Sequence, residues 1–197
     1  NADILEVGSW CGRSSISLGF AAKNINCKVH AVDLFPNKND WYLNDDGTAS
    51  FQTEINKKQI SGYTDQRVWT DAFKNLIDAY RFHKNDNLEK IFKKNLKTFK
   101  ISEYVHSYRG TLIEFLKTNT KKFRVIFLDG DHSFKGVSQE IKFVKNLLKK
   151  GGWLCFDDAF TVYEGINQAI KSELLKDENF SNFAQITRKM FIAQKIK

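Results

Sequence analysis

The stretch ILEVGSWCGRSS, residues 4–15, decides the fold class because it joins an apolar run to a glycine-containing turn and the start of a helix. The next apolar run, residues 29–32, ends at Asp33. Strand, helix and strand in this order form a βαβ unit, whose right-handed crossover requires parallel strands. The sequence therefore predicts an α/β protein built on a parallel sheet.

The same alternation returns in the second half of the chain. The patterns predict strands at 104–109, 124–128 and 153–156, and helices at 111–117, 138–149 and 163–175. Gly151 and Gly152 are predicted to end the second of these helices. Two late strands, 183–187 and 189–194, are close enough in sequence to form an antiparallel hairpin.

A long stretch after the second strand, residues 36–86, interrupts this alternation. It is polar, turn-rich and studded with aromatic residues, and helices are expected to resume at 68–82 and 87–97. Connections of this length are usually functional. Aromatic and acidic residues together suit a lid over an organic acceptor, and equally suit an oligomer contact. We favour the lid, because the insertion leaves the sheet at the edge where the polar clusters described below lie.

The composition limits the partners and the compartment. The 197 residues carry a formal net charge of +8, which permits an anionic partner. The lysines, however, alternate with apolar residues at helical spacing, and no RNP, KH or zinc-finger pattern accompanies them, so solvated helix faces are favoured over a nucleic-acid groove. The chain has no CxxC spacing, no signal-peptide pattern and no apolar run of about 18 residues. We therefore expect a soluble, cytoplasmic protein that does not enter a membrane. Because a strand begins almost at once, we also expect the natural protein to carry residues upstream.

Polar residues cluster where the predicted strands end. Gly8 and Gly12 follow the first strand and Asp33 ends the second. The fourth strand ends at residues 129–132 and the fifth at 157–158. Ligands of open parallel sheets bind beyond the carboxyl ends of the strands, near the point where the strand order reverses. The sequence therefore predicts a ligand site at this edge.

The first two strand ends suit a nucleoside-containing ligand. The spacing G-x-x-x-G differs from the dinucleotide pattern because position 10 is Trp, but the turn still lets backbone N–H groups approach a ligand. Asp33 lies where an acid accepts hydrogen bonds from ribose hydroxyls. Glu6 is a carboxylate within a buried strand, which costs several kcal/mol unless it is hydrogen-bonded, so a structural or ligand-facing role is expected.

The stretch FLDGDHSF, residues 127–134, allows three interpretations. Carboxylates at adjacent strand ends, ~4.7–4.9 Å apart per strand, can share one divalent cation. An acid with a neighbouring imidazole can act as an acid/base pair. Alternatively, Asp131 or Ser133 caps the next helix, and Asp157 or Asp158 does the same after the fifth strand.

Three stretches together, residues 4–15, AVDLF at 31–35 and residues 125–158, resemble the class I S-adenosylmethionine-dependent methyltransferases. The resemblance is greatest to the branch with methyltransferase-24-like, catechol-type and macrolide-sugar O-methyltransferases. It covers roughly residues 2–35 and 100–197 and leaves the insertion unmatched. It implies a single methyltransferase domain over residues 1–197, with a Rossmann-like doubly wound sheet, mostly parallel, in the strand order 3-2-1-4-5-7-6 with a C-terminal antiparallel hairpin.

The resemblance also implies roles for particular residues. The methionine part of S-adenosylmethionine would be surrounded by Glu6, Gly8, Ser9 and Gly12, the ribose held by Asp33, and the adenine approached by Arg109, Gly110 and Thr111. Asp129 would lie beside the cofactor and the reacting groups. In metal-dependent members magnesium is bound by acids that correspond to Asp129, Asp157 and Asp158. His132 takes the position of the general base.

These roles imply an enzyme that methylates a hydroxyl group of a small hydroxylated or glycosyl acceptor with the assistance of Mg²⁺. The alternatives are a basic nucleic-acid-binding module, an RNA methyltransferase on the same fold, and a nicotinamide-dependent enzyme, against which Trp10 argues. A further alternative is a relative of the cephalosporin-hydroxylase-like group, because the motifs do not distinguish that group from the methyltransferases. A small-molecule acceptor is the expected partner, nucleic acid is not, and a homo-oligomer is compatible with the aromatic insertion.

Overall fold

The computed structural model describes residues 3–63 and 72–197. Ten strands are found there: β1 Ile4–Val7, β2 Val29–Asp33, β3 Trp41–Leu43, β4 Ala49–Ile55, β5 Lys58–Gly62, β6 Val105–Arg109, β7 Phe123–Leu128, β8 Leu148–Phe156, β9 Phe180–Gln185 and β10 Phe191–Lys195. Six α-helices accompany them in the same ranges: α1 Arg13–Ile25, α2 Ala72–His83, α3 Leu88–Thr98, α4 Leu112–Thr118, α5 Phe134–Val144 and α6 Glu164–Glu173.

Seven strands form the central sheet in the order β6-β2-β1-β7-β8-β10-β9. Numbered within this sheet, the order is 3-2-1-4-5-7-6, so the predicted topology is confirmed. The first five strands are parallel, and β10 runs antiparallel to both β8 and β9, which confirms the hairpin. In β1 and β7, Val7 is paired with Leu128. The two strands therefore end at the same level.

Helices cover both faces of the sheet, as in a doubly wound fold. On one face, Leu5 and Val7 join a core with α4, α5 and α6. On the other, Ile4 packs with residues of α1, α2 and α3. Helix α3 buries Leu88, Ile91, Phe92 and Leu96 and leaves its lysines exposed, which confirms the amphipathic-helix interpretation of this lysine cluster.

The insertion contains a second sheet that the sequence did not predict. Strands β3, β4 and β5 pair antiparallel in that order. In β4, Phe51, Thr53 and Ile55 are buried, whereas Gln52 and Glu54 are exposed. The strands are short and separated by turn residues, so their alternation was too brief to recognise. The predicted start of the helix at residue 68 lies outside the described residues.

Gly151 and Gly152 do not end a helix, so that prediction was wrong. Helix α5 ends at Val144, and both glycines lie within β8. Phe123 of β7 is paired with Leu148 of β8, and Val125 is paired with Trp153. More residues therefore separate the paired positions in β8 than in β7, which marks a bulge in β8. Gly151 has a φ of +76°, and a Cβ on Gly152 would lie 2.8 Å from two backbone oxygens. The glycines are therefore required by the bulge.

Two further expectations concern the environment of the protein. No helix within the described ranges is long and apolar enough to cross a membrane. Cys11, Cys27 and Cys155 are free thiols.

Asp3, which directly precedes β1, is the centre of a cluster of ion pairs with residues from other parts of the chain. Asp3 accepts hydrogen bonds from His30 Nε2 at 2.9 Å and Lys121 Nζ at 3.1 Å. Burial by itself would raise the pKa of Asp3, but these bonds and the backbone N–H of Lys28 lower it to about 2. A carboxyl group with a lowered pKa in the folded state stabilises the protein above its unfolded pKa, and the effect is lost as the pH falls through the folded value.

We expect Asp3→Asn to lower the free energy of unfolding at pH 7 by about 1 kcal/mol, because the pairs are partly exposed to solvent. The difference from wild type should shrink as the pH falls from about 4 to 2. Urea unfolding at several pH values measures it, with the exposed Asp45→Asn as control. A difference that does not change with pH would show that the charge of Asp3 contributes nothing.

Candidate active site

The turn after β1 is in tight backbone contact with the residue that follows β7. Gly8 has a φ of +83°, and a Cβ at this position would lie 2.2 Å from the carbonyl oxygen of Asp129. The N–H of Asp129 donates to the carbonyl oxygen of Val7 at 2.8 Å. Only glycine fits here, and its contact fixes the position of Asp129 relative to the turn.

Asp33 organises the same turn. Its Oδ2 accepts from the backbone N–H groups of Ser9 at 2.7 Å and Trp10 at 2.9 Å, and its Oδ1 accepts from Phe35 at 2.6 Å. Burial raises the pKa of Asp33, and these backbone hydrogen bonds oppose the effect. A carboxylate has about four lone-pair sites, of which three are used, so one remains for a ligand hydroxyl.

Glu6 lies fully buried beneath the turn. Its Oε2 accepts from the hydroxyl groups of Ser9, at 2.9 Å, and Ser15. Its Oε1 has no hydrogen-bond partner among the residues that the structure describes. Burial raises the pKa of Glu6 despite the serine hydroxyls. A buried carboxyl oxygen without a donor is costly, so Oε1 needs a donor, either from a ligand or from the nearby Ser14 hydroxyl, which also lowers the pKa of Glu6.

The predicted adenine-side residues have structural partners. Arg109 donates to the carbonyl oxygen of Leu34 at 3.3 Å and to Thr53 Oγ1, in the insertion, at 3.1 Å. The N–H of Gly110 donates to the carbonyl oxygen of Asp33 at 2.9 Å. Thr111 is the N-cap of α4. These residues therefore lie next to the Asp33 turn, and Arg109 ties the insertion to the sheet.

Acids from two strand ends meet at an imidazole. Donor atoms of Asp129, His132 and Asp158 all lie within 4.8 Å of one another. His132 is 9% exposed, and its Nε2 lies 3.2 Å from Asp158 Oδ2. Its Nδ1 has no partner in the described part of the chain. The ring of Tyr163 lies 4.2 Å from the His132 ring, between centroids, and that of Tyr63 lies 6.4 Å away.

Asp157 is not among the three residues whose ligand atoms lie within 4.8 Å of one another, although it lines the same cavity as Asp129 and His132. Its Oδ2 lies 2.6 Å from Lys189 Nζ, which also contacts Asp158 Oδ1 at 3.2 Å. The group of Asp129, His132 and Asp158 shares two residues with the predicted set of Asp129, Asp157 and Asp158, and the metal role of each stays a prediction. The first carboxylate of the pair points to the hairpin lysine and the second to the imidazole.

The helix-cap interpretation holds for one strand end only. Ser133 is the N-cap of α5 and accepts from the N–H of Gly136, while Asp131 accepts from the N–H of Ser133 at 2.7 Å. Asp131 thus supports the cap. After β8, however, the next helix begins beyond Tyr163, so Asp157 and Asp158 do not cap it.

A partly buried glutamate that sequence reasoning missed lies beside this group. Glu140, on α5, lines a cavity of about 10 Å³ together with Asp129, Asp131, His132 and Asp157. Its Oε2 has no partner in the described ranges. Burial, and then repulsion by Asp131 and Asp129, raises the pKa of Glu140 to about 8. It lies beside the buried residues Val137, Ile141 and Val144 of α5, and a single charged residue in an amphipathic helix gave no signal in the sequence.

The donor set fits a divalent cation. Burial, followed by repulsion from Asp157 and Asp158, raises the pKa of Asp129 to about 8. A cation would relieve this repulsion. Carboxylates alone suit Mg²⁺, whereas an added imidazole nitrogen suits Mn²⁺ and other transition metals better. The residues present therefore fit a metal ion, and the imidazole favours Mn²⁺ over Mg²⁺.

Comparisons with known proteins identify the family of this chain and solved structures with a similar fold. A family model described as a methyltransferase domain matches residues 5–159. No curated protein sequence matches the chain significantly.

Among solved structures, the O-methyltransferase NovP has a TM-score of 0.62 at 15% identity, over 100% of this chain and 73% of its own. An O-methyltransferase from Bacillus cereus in complex with SAH has a TM-score of 0.60 at 13% identity, over 100% and 74%. CalS11, a TDP-rhamnose 3'-O-methyltransferase, has a TM-score of 0.58 at 11% identity, over 98% and 72%. At these identities the structures establish similarity of fold.

We expect Gly8→Ala to destabilise the protein by about 1–3 kcal/mol more than Gly47→Ala, because the new methyl group must displace the backbone at Asp129. Gly47 is a matched control, since its φ is +81° and a Cβ there would meet nothing within 4 Å. Both substitutions carry the strain of positive φ, and only one carries the contact. Urea unfolding measures the difference. Equal losses would mean that the Gly8–Asp129 contact is not tight.

Proposed function

Since this chain belongs to the methyltransferase-domain family and is an S-adenosylmethionine-dependent methyltransferase, we propose that it methylates a hydroxyl group of a small hydroxylated or glycosyl acceptor. One observation carries the proposal: the glycine turn with Asp33 and the cluster of Asp129, His132 and Asp158 lie at the same edge of the sheet, joined by the Gly8–Asp129 contact. This arrangement supports a turn that would bind a nucleoside cofactor next to an imidazole that would take a proton.

The cofactor would lie over the turn after β1. S-adenosylmethionine, when bound, supplies a methyl group on a positively charged sulfur, from which a nucleophile can take it. The unpartnered Oε1 of Glu6 supports a contact with the methionine part, and the spare lone pair of Asp33 supports one ribose hydroxyl. The backbone N–H groups of Gly8, Ser9 and Gly12 bond to Val32, Asp33 and Ser9 within the protein, so their contact with the methionine part stays a prediction. For Arg109, Gly110 and Thr111 an adenine contact stays a prediction.

His132 would remove the proton of the acceptor hydroxyl. If its Nε2 carries the hydrogen and donates to Asp158, the lone pair is on Nδ1, which has no partner in the described structure. Asp158 then orients the ring and stabilises the imidazolium that forms. General-base catalysis of this kind contributes about 10²- to 10⁴-fold to the rate.

A divalent cation would be held by Asp129, Asp158 and His132. Bound there, it would orient two acceptor oxygens and lower the pKa of the hydroxyl group. The two roles make different demands on His132, because a nitrogen that coordinates a metal does not accept a proton. Metal assistance and base catalysis by His132 are therefore separable.

We propose the insertion, residues 36–86, as a lid over the acceptor. The ring of its Tyr63 lies 6.4 Å from that of His132, between centroids, and burial together with repulsion by Asp129 and Asp33 raises the pKa of Tyr63. Trp41 contacts Trp10, in the cofactor turn, with 6.0 Å between ring centroids. Aromatic rings on both sides of the site suit a small organic acceptor and exclude water. The TDP-rhamnose enzyme of the same fold supports a glycosyl acceptor.

We expect Asp33→Asn to weaken the binding of S-adenosylhomocysteine at least tenfold, because it removes the charge that orients both the turn and the ribose. Isothermal calorimetry measures the affinity, with Asp86→Asn as a control and thermal unfolding to check the fold. If wild type does not bind the compound, or if Asp33→Asn binds it equally well, the cofactor site is elsewhere.

We expect His132→Asn to lower the turnover number about 10²- to 10⁴-fold without changing the affinity for S-adenosylhomocysteine. Transfer of labelled methyl groups to a catechol or a TDP-deoxysugar measures the rate, both with Mn²⁺ and with EDTA. Turnover that survives EDTA but not the substitution would assign the proton transfer to His132 alone. Wild-type turnover in the variant would exclude His132 as the base.

A further inference from the structure

A lysine from the C-terminal hairpin forms ion pairs with both acids at the end of β8. Lys189 lies in the turn between β9 and β10, and its Nζ contacts Asp157 Oδ2 at 2.6 Å and Asp158 Oδ1 at 3.2 Å. The N–H of Ala159 donates to the backbone oxygen of Lys189 at 2.9 Å. The turn is thus held against the strand end by the backbone as well as by the side chain.

Asp158 is shared between this lysine and the candidate metal site. Its Oδ1 faces Lys189 and its Oδ2 faces His132, and it belongs to the group with Asp129 that fits a cation. A positive charge is therefore already present beside the carboxylates that a divalent cation would need. The lysine partly neutralises a cluster whose acids otherwise repel one another.

We propose that Lys189 is the resident counter-ion of this acid pair and that a divalent cation, on binding at Asp129, His132 and Asp158, displaces its ammonium group. The inference rests on the metal half of the proposed function. Two positive charges at contact distance repel strongly in a partly buried site, so the ammonium and the ion do not share Asp158. Lys189 therefore sets the cation concentration at which the site fills.

The displacement asks little of the fold. The side chain of Lys189 is 51% exposed, so its ammonium group can turn into water. The backbone hydrogen bond to Ala159 does not involve the side chain, so the hairpin can stay in place. Lysine suits this role because its ammonium is a compact charge on a flexible stem, whereas the planar fork of arginine would hold a carboxylate with two bonds.

Titration with Mn²⁺, followed by the paramagnetic resonance signal of the free ion, tests the proposal without any measurement of turnover. We expect Lys189→Met to bind Mn²⁺ about tenfold more tightly than wild type, because one positive charge leaves the site. Lys189→Arg should bind no more tightly than wild type. Lys93→Met is the matched control, since Lys93 is 59% exposed and pairs with Glu89 far along the chain in α3.

The location of the ion is tested by Asp158→Asn in the Lys189→Met background, which should abolish the gain. Equal Mn²⁺ affinity in wild type and Lys189→Met would overturn the role of Lys189 and leave the metal half standing. Absence of Mn²⁺ binding in both would overturn the metal half as well, whereas calorimetry with S-adenosylhomocysteine still reports on the cofactor site. Thermal unfolding confirms that each variant is folded.

Discussion

The accumulation of negative charge at one edge of the sheet is the constraint on which the rest of this structure depends. Parallel strands end at the same edge, so β2, β7 and β8 bring Asp33, Asp129, Asp157 and Asp158 together. Charged carboxylates in a partly buried setting need donors or cations. The backbone of the glycine turn supplies them for Asp33, and Lys189 supplies them for the acid pair.

Three acids at this edge are only partly compensated by the described residues. Glu6 and Glu140 each keep one buried oxygen without a donor, and the pKa values of Asp129 and Glu140 are raised to about 8. Raised pKa values at a cleft are typical of functional sites, although structural networks produce them too. The proposed ligands, a sulfonium cofactor and a divalent cation, are both positively charged, so one electrostatic requirement explains both.

The sequence was sufficient for the centre of the main sheet because β1, β2, β7 and the last part of β8 contain apolar runs that stop at a polar or glycine residue. It was insufficient where local signals conflict. Gly151 and Gly152 follow a helical pattern, but a strand bulge uses them. Glu140 is one polar residue of an amphipathic helix, and Lys189 is one lysine of a basic chain. Only the three-dimensional packing distinguishes Glu140 and Lys189 from ordinary solvated residues. Which of Asp157 and Asp158 faces His132 likewise depends on how the strand end turns.

A crystal structure with S-adenosylhomocysteine and Mn²⁺ tests the central claim most directly, because it locates both ligands at once. We expect the ribose at Asp33, the sulfur toward Asp129, and an anomalous peak among Asp129, His132 and Asp158 with the Lys189 ammonium turned away. A nucleoside bound away from the glycine turn, or on the far side of the sheet from the acid cluster, would contradict a single methyl-transfer site at this edge.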